Sequence, residues 1–137
     1  MPFSEPELEY LASQRLGRLA TLAPDGAPQN RPVGFRYNPE ADAIDIFGWK
    51  MGASRKFRNI QTDPRVAFVV DDVASVDPWR VRGVEIRGDA QALTEQDTYE
   101  HPGSNEVIRI HPQRTFAWGL ERNTQLAPSA DTKEENQ

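Results

Sequence analysis

The chain has 137 residues, too few for a catalytic domain beside a separate cofactor domain, so one core must do everything. Its 16 Lys and Arg against 21 Asp and Glu give a net charge of −5, which speaks against a nucleic-acid binder with a broad basic surface. Cysteine is absent, which excludes disulfides, thiolate catalysis and cysteine metal sites, so redox chemistry would need a borrowed cofactor.

From the start of the chain, Ser4-Glu5-Pro6-Glu7 reads as a capping box and Phe3 with Leu8 as a hydrophobic staple, predicting a helix to about Arg15 that covers one end of the fold. MPFSEPELEY lacks a basic and apolar leader, and no apolar run approaches a membrane span, so a cytoplasmic protein is expected. Arg18 to Leu22 alternates as a strand, Pro24-Asp25-Gly26 turns, and Pro28 to Tyr37 returns as the second arm of a hairpin. A turn at Asn38-Pro39-Glu40 leads to a third strand over Ala43 to Trp49, with Ile44 and Ile46 on one face.

Ala53 to Asp72 is the most informative stretch. Ser54 caps a short helix in which Arg55, Lys56 and Arg58 place cations near amides that favour an anion, a phosphate site in outline. Phe57 and Ile60 give the helix an apolar face, and Asp63-Pro64 stops it. Taken alone, such charges are more often an ordinary solvated helix face. Arg65 to Val70 is a core strand, with Asp71 and Asp72 as its end, and Asp71 to Pro78 is a polar, turn-rich connection. Val81 to Leu93 is one long alternating strand, with Gly83 and Gly88 placed to bend it. Thr94 to Ser104 connects it, with room for a helical turn before His101-Pro102-Gly103, to closing strands at Val107 to Ile110 and Arg114 to Trp118. This pattern predicts a mainly β domain with short helices, a barrel of about six antiparallel strands, over residues 1–126. The polar tail, residues 127–137, is expected to be disordered.

The order of strand, Ser-Arg-Lys helix, Asn59, Asp63-Pro64-Arg65 and apolar strand resembles the flavin-phosphate segment of the pyridoxamine 5′-phosphate oxidase-like, or flavin/deazaflavin oxidoreductase, family. Gly17 to Tyr37 is similar to that family's first hairpin, and Glu106 to Glu121 to the last strands of its small actinobacterial members. The resemblance implies a split β-barrel of the FMN-binding type, a homodimer, and a cofactor in grooves between subunits. It implies that Arg55 and Lys56 hold the cofactor phosphate, with Ser54 adding a hydroxyl or capping the helix, and Asn59 facing the same groove or standing as an ordinary surface amide. It also implies that the backbone of Arg31-Pro32-Val33-Gly34 and of Phe47-Gly48-Trp49 contacts the ring. Read alone, Pro32 and Gly34 mark either a plain barrel edge or a strand exposed to something flat lying against its backbone.

Trp49, Trp79 and Trp118 read first as core or interface packing, Trp49 being the one that doubles as a site candidate. His101 and His111, each before proline and without a spaced carboxylate, make a poor metal signature. By its short segments the chain looks like the members that use the deazaflavin coenzyme F-420 to transfer hydride to a small-molecule acceptor. FMN is the alternative cofactor, and a non-catalytic flavin- or haem-binding module the rival of another class.

Overall fold

Ser4 begins the first helix as its spacing predicts: its hydroxyl accepts from the Glu7 amide at 3.3 Å, and the Glu7 carboxylate accepts from the Ser4 amide at 3.0 Å. In this computed structural model, which describes residues 2–94, 96 and 103–120, that helix is α1, Glu5–Ala12. It ends three residues before Arg15 because Ser13 turns its hydroxyl onto the Tyr10 carbonyl, at 2.6 Å, an alternative to continuing the helix. Tyr10 and Leu11 pack into the core.

Six strands follow: β1 Leu16–Leu22, β2 Pro28–Asn38, β3 Ala43–Phe47, β4 Arg65–Ser75, β5 Arg80–Leu93 and β6 Val107–Trp118. They close into an antiparallel barrel in the order β1-β2-β3-β6-β5-β4, sealed where β1 pairs with β4 from Arg18 opposite Val69 to Ala20 opposite Ala67. Leu19, Ile44, Ile46, Phe68, Val70, Val84, Ile86, Ile108 and Ile110 fill the interior at 1% exposure or less. The β1–β2 turn uses Gly26 at φ 89°, a left-handed conformation that favours glycine, and Asp25, whose carboxylate accepts from the Ala27 amide at 3.0 Å. Between β3 and β4 lie a 3₁₀ turn, Met51–Ala53, and helix α2, Arg55–Thr62, whose Phe57 and Ile60 are buried.

Two sequence expectations need correction. The connection expected from Asp71 to Pro78 is a turn only from Val76 on: β4 continues to Ser75, because Asp71 pairs with Arg18, and Asp72 is gripped at two points by Arg82 of β5, at 2.8 and 3.0 Å. The two closing segments are one strand, β6. Pro112 is accommodated where the β5–β6 register shifts between Arg87 and Gly88, a bulge at which any side chain on Gly88 would collide with the His111 carbonyl oxygen. Of the tryptophans expected in core or interface packing, Trp49 and Trp79 lie outside the core of the chain, at 72% and 66% exposure. All of β3 is buried, including Asp45. His101, Pro102, most of the expected helical turn and the tail lie outside the described residues. Among the described residues, no helix is long and apolar enough to cross a membrane.

Candidate functional site

The β1–β2 hairpin and the start of α2 enclose one groove of about 810 Å³. Leu19 and Thr21 come from β1, Gln29 to Pro32 from β2, and Ser54, Arg55 and Lys56 from the helix start. Strand register builds much of this wall: Leu19 pairs with Arg31 and Thr21 with Gln29, and residues two apart on a strand share a face. β1 pairs with β2 from Pro28 to Gly34, whereas β3 joins β2 only from Gly34 to Asn38. The Pro28–Val33 half of β2 is therefore laddered on one side, where a proline without an N–H is tolerated, as the sequence led one to expect.

At the helix start, Ser54 acts as a cap. Its hydroxyl accepts from the Phe57 amide at 3.3 Å and donates to the Met51 carbonyl at 2.7 Å. The amides of Arg55 and Lys56, first two of the helix, have no acceptor within it, and they stand where the positive end of its dipole meets the groove. Arg31, Arg55 and Lys56 line the groove, and among the described residues no carboxylate does. Burial first, and the Arg31 charge second, push the Lys56 ammonium below its usual pKa. Such a side chain has lost water and faces a like charge, so an anion would satisfy it.

Asn59 is neither in this lining nor a surface amide. At 3% exposure it sits behind the wall, where its Nδ2 donates to Thr21 Oγ1 at 2.9 Å and to Gln29 Oε1 at 2.8 Å. Val33, at 5% exposure, turns into the core. Gly34 follows along β2, and a Cβ there would meet only the Arg15 carbonyl oxygen, at 4.0 Å. Phe47, opposite Gly34, is 6% exposed, while the Gly48 carbonyl accepts from both the amide and the hydroxyl of Ser104, each at 3.1 Å. The groove lining thus unites Arg31, Pro32, Ser54, Arg55 and Lys56, and leaves out Val33, Gly34, Phe47, Gly48, Trp49 and Asn59. Leu19, Thr21, Gln29 and Asn30 were not anticipated. Period-two alternation across the hairpin carried the signal for Gln29, two residues from Arg31. His111 lies elsewhere, its Nε2 2.6 Å from Gln91 Oε1 across β5 and β6.

These residues fit a ligand that carries an anionic group. The cations and open amides suit the anion, and the half-laddered strand leading to Gly34 leaves room beside its backbone.

A family model described as pyridoxamine 5′-phosphate oxidase matches residues 4–119. Over 122 residues the chain is 50% identical to a 5a,11a-dehydrotetracycline/5a,11a-dehydrooxytetracycline reductase of Streptomyces rimosus, covering 88% of this chain and 86% of that protein. Among solved structures, a conserved hypothetical protein from Mycobacterium tuberculosis shares the fold with a TM-score of 0.68 at 24% identity, over 93% of this chain and 94% of that one. An F-420 reductase does so with a TM-score of 0.63 at 23% identity, over 82% of this chain and 98% of that one. With barrel, register and family model in agreement, the chain belongs to the pyridoxamine 5′-phosphate oxidase family and is a split barrel of that kind.

Proposed function

We propose that the protein is a cytoplasmic, homodimeric oxidoreductase that binds coenzyme F-420 and transfers hydride between it and a small-molecule acceptor. The observation that carries the cofactor reading is the meeting of Arg31, Arg55 and Lys56 at the start of α2, beside a strand laddered on one side only. Oxidoreductase chemistry is supported by half identity, over most of both chains, to a named reductase. The deazaflavin is favoured over FMN by the fold shared with an F-420 reductase, although both cofactors present a tricyclic ring and a phosphate.

A bound deazaflavin supplies the hydride chemistry, and the chain's own work is to bind, orient and shield. Arg55, Lys56 and the first amides of α2 would hold the phosphate, with Arg31 as the third cation. The backbone from Arg31 to Gly34 would lie along the ring. Homodimer formation is supported by large apolar side chains left open on the single chain, among them Leu16, Val76 and Trp79 at 58%, 73% and 66% exposure. Sedimentation of a stable monomer at micromolar concentration would remove that part of the reading.

Titration of the apo-protein with coenzyme F-420 and FMN side by side tests the cofactor. Tighter binding of F-420, followed by reoxidation of the reduced complex by candidate acceptors, is the expected result. Binding of neither cofactor overturns the proposal, and tight binding without turnover of any acceptor returns the protein to a carrier role.

A further inference from the structure

We propose that Asn59 is a positioning residue: it turns part of the groove wall into a surface that only donates hydrogen bonds, matched to a phosphate group whose exposed oxygens all accept. The inference rests on the reading of the groove as a phosphate site and assigns a role to a residue behind it.

A glutamine side chain has a donating and an accepting end, and whichever end is engaged elsewhere decides what the other presents. Asn59 uses both Nδ2 hydrogens, one on Thr21 Oγ1 at 2.9 Å and one on Gln29 Oε1 at 2.8 Å. Gln29 therefore keeps its oxygen toward Asn59 and leaves its Nε2, with two hydrogens, for the groove it lines. Thr21 Oγ1 receives a hydrogen from behind, which turns its own hydroxyl hydrogen away from Asn59. Next to these stand Arg31 from β2 and Arg55 and Lys56 from α2, which donate and cannot accept. Asn30 also lines the groove, beyond the stretch that Asn59 governs, and its amide can present either end. An ionised phosphate oxygen is served by each of the Gln29, Arg31, Arg55 and Lys56 donors, and a protonated one is not.

Asn59 is 3% exposed, so its influence on a ligand must pass through Thr21 and Gln29. Were the amide turned over, with its oxygen accepting from both neighbours, Gln29 would point Oε1 among three cations. The two arrangements respond oppositely to one substitution. Asn59→Asp can only accept, so it forces Gln29 to reverse, whereas the reversed arrangement would tolerate it.

The experiment compares FMN with riboflavin on the full chain, because the ratio of their affinities isolates the phosphate. In Asn59→Asp that ratio should fall about tenfold, as for loss of a charge-assisted hydrogen bond. Gln29→Leu should lower it similarly, and the double variant should be no worse than Gln29→Leu, since the first residue acts through the second. Gln29→Glu keeps the oxygen that Asn59 holds while removing Nε2, and it should lower the ratio even if Asn59→Asp folds poorly. A wild-type ratio in Asn59→Asp or Gln29→Glu, or additive losses in the double variant, overturns the proposal. The parent reading fails separately, if replacing Arg55 and Lys56 with alanine leaves the ratio unchanged. If that replacement abolishes the ratio while Asn59→Asp does not, only the role of Asn59 is lost.

Discussion

Asp45 of β3 and Arg109 of β6 meet in a two-point ion pair inside the barrel wall, Nε to Oδ1 at 2.8 Å and Nη2 to Oδ2 at 3.1 Å. The carboxylate is 1% exposed and also accepts from Asn38 Nδ2 at 3.0 Å, so it fixes both the turn before β3 and the pairing of β3 with β6. Removing one partner of such a pair takes the two-point contact away from a charge held in the interior. Arg109→Met should therefore lower stability by about 3–5 kcal/mol, while Asp45→Leu with Arg109→Met should recover much of the loss. Urea denaturation of the three proteins checks this, and a single variant as stable as the wild type would contradict it.

Replacing Arg55 and Lys56 together with alanine should separate binding from folding. Each charge-assisted contact to a phosphate is typically worth about 1.5–3 kcal/mol, or roughly tenfold to a hundredfold in affinity. Arg55 is exposed and Lys56 half-buried, so the urea midpoint should barely move. Isothermal titration should show a large loss for a phosphorylated cofactor and a small one for its dephosphorylated analogue. Equal binding of both by the variant and the wild type would return the cluster to a solvated helix face.

Gly34→Leu should weaken cofactor binding more than Arg31→Ala does. A Cβ at Gly34 has only the Arg15 carbonyl oxygen near it, at 4.0 Å, so the fold should tolerate the side chain while a flat ligand would not. Comparison of dissociation constants, with circular dichroism as the folding control, decides the matter. Unchanged binding by Gly34→Leu would move the ring elsewhere.

The contact between α1 and the β4–β5 ladder should make stability depend on pH at both ends. The Arg82 guanidinium, and then the Tyr10 hydroxyl at 2.8 Å, hold Asp72 below its usual carboxylate range against the opposing effect of burial. A depressed folded-state pKa means that the contribution is complete above the ordinary value near 3.8 and is lost as pH falls through the folded value. The stability difference between wild type and Arg82→Gln should thus shrink in acid. Tyr10 behaves in the opposite sense: burial, then the hydrogen bond to Asp72 and its charge, push its phenol well above 10.0. Its contribution is complete below the ordinary value and declines as pH rises past it, a decline that Tyr10→Phe should remove. Urea midpoints across the pH range test both arms, and parallel profiles would refute the assignment.

What was legible in the sequence was mostly local chemistry. The Ser4–Glu7 box, the Ser54 cap, the Asp63-Pro64 stop and the Asp25-Gly26 turn each act within a few residues, and each stands where its spacing put it. Features settled by a distant partner were not legible. Asp71 and Asp72 look like the end of a strand until Arg18 and Arg82 arrive from neighbouring strands. Pro112 looks like a break until a bulge forms opposite Gly88. The site divides in the same way: Ser54, Arg55 and Lys56 announce themselves within one helical turn, whereas Thr21, Gln29 and the buried position of Asn59 depend on how a hairpin lies against α2.

The half of β2 that β3 does not reach is also a hazard. A strand laddered on one side is a template onto which another chain can extend the sheet, and such templates seed aggregation. Pro28 and Pro32 each withhold a donor from such an extension, and Arg31 brings a charge that repels an identical neighbour. The same three residues therefore guard the strand's solubility, and a variant that replaced both prolines with valine should gain regular strand character while becoming prone to fibril growth.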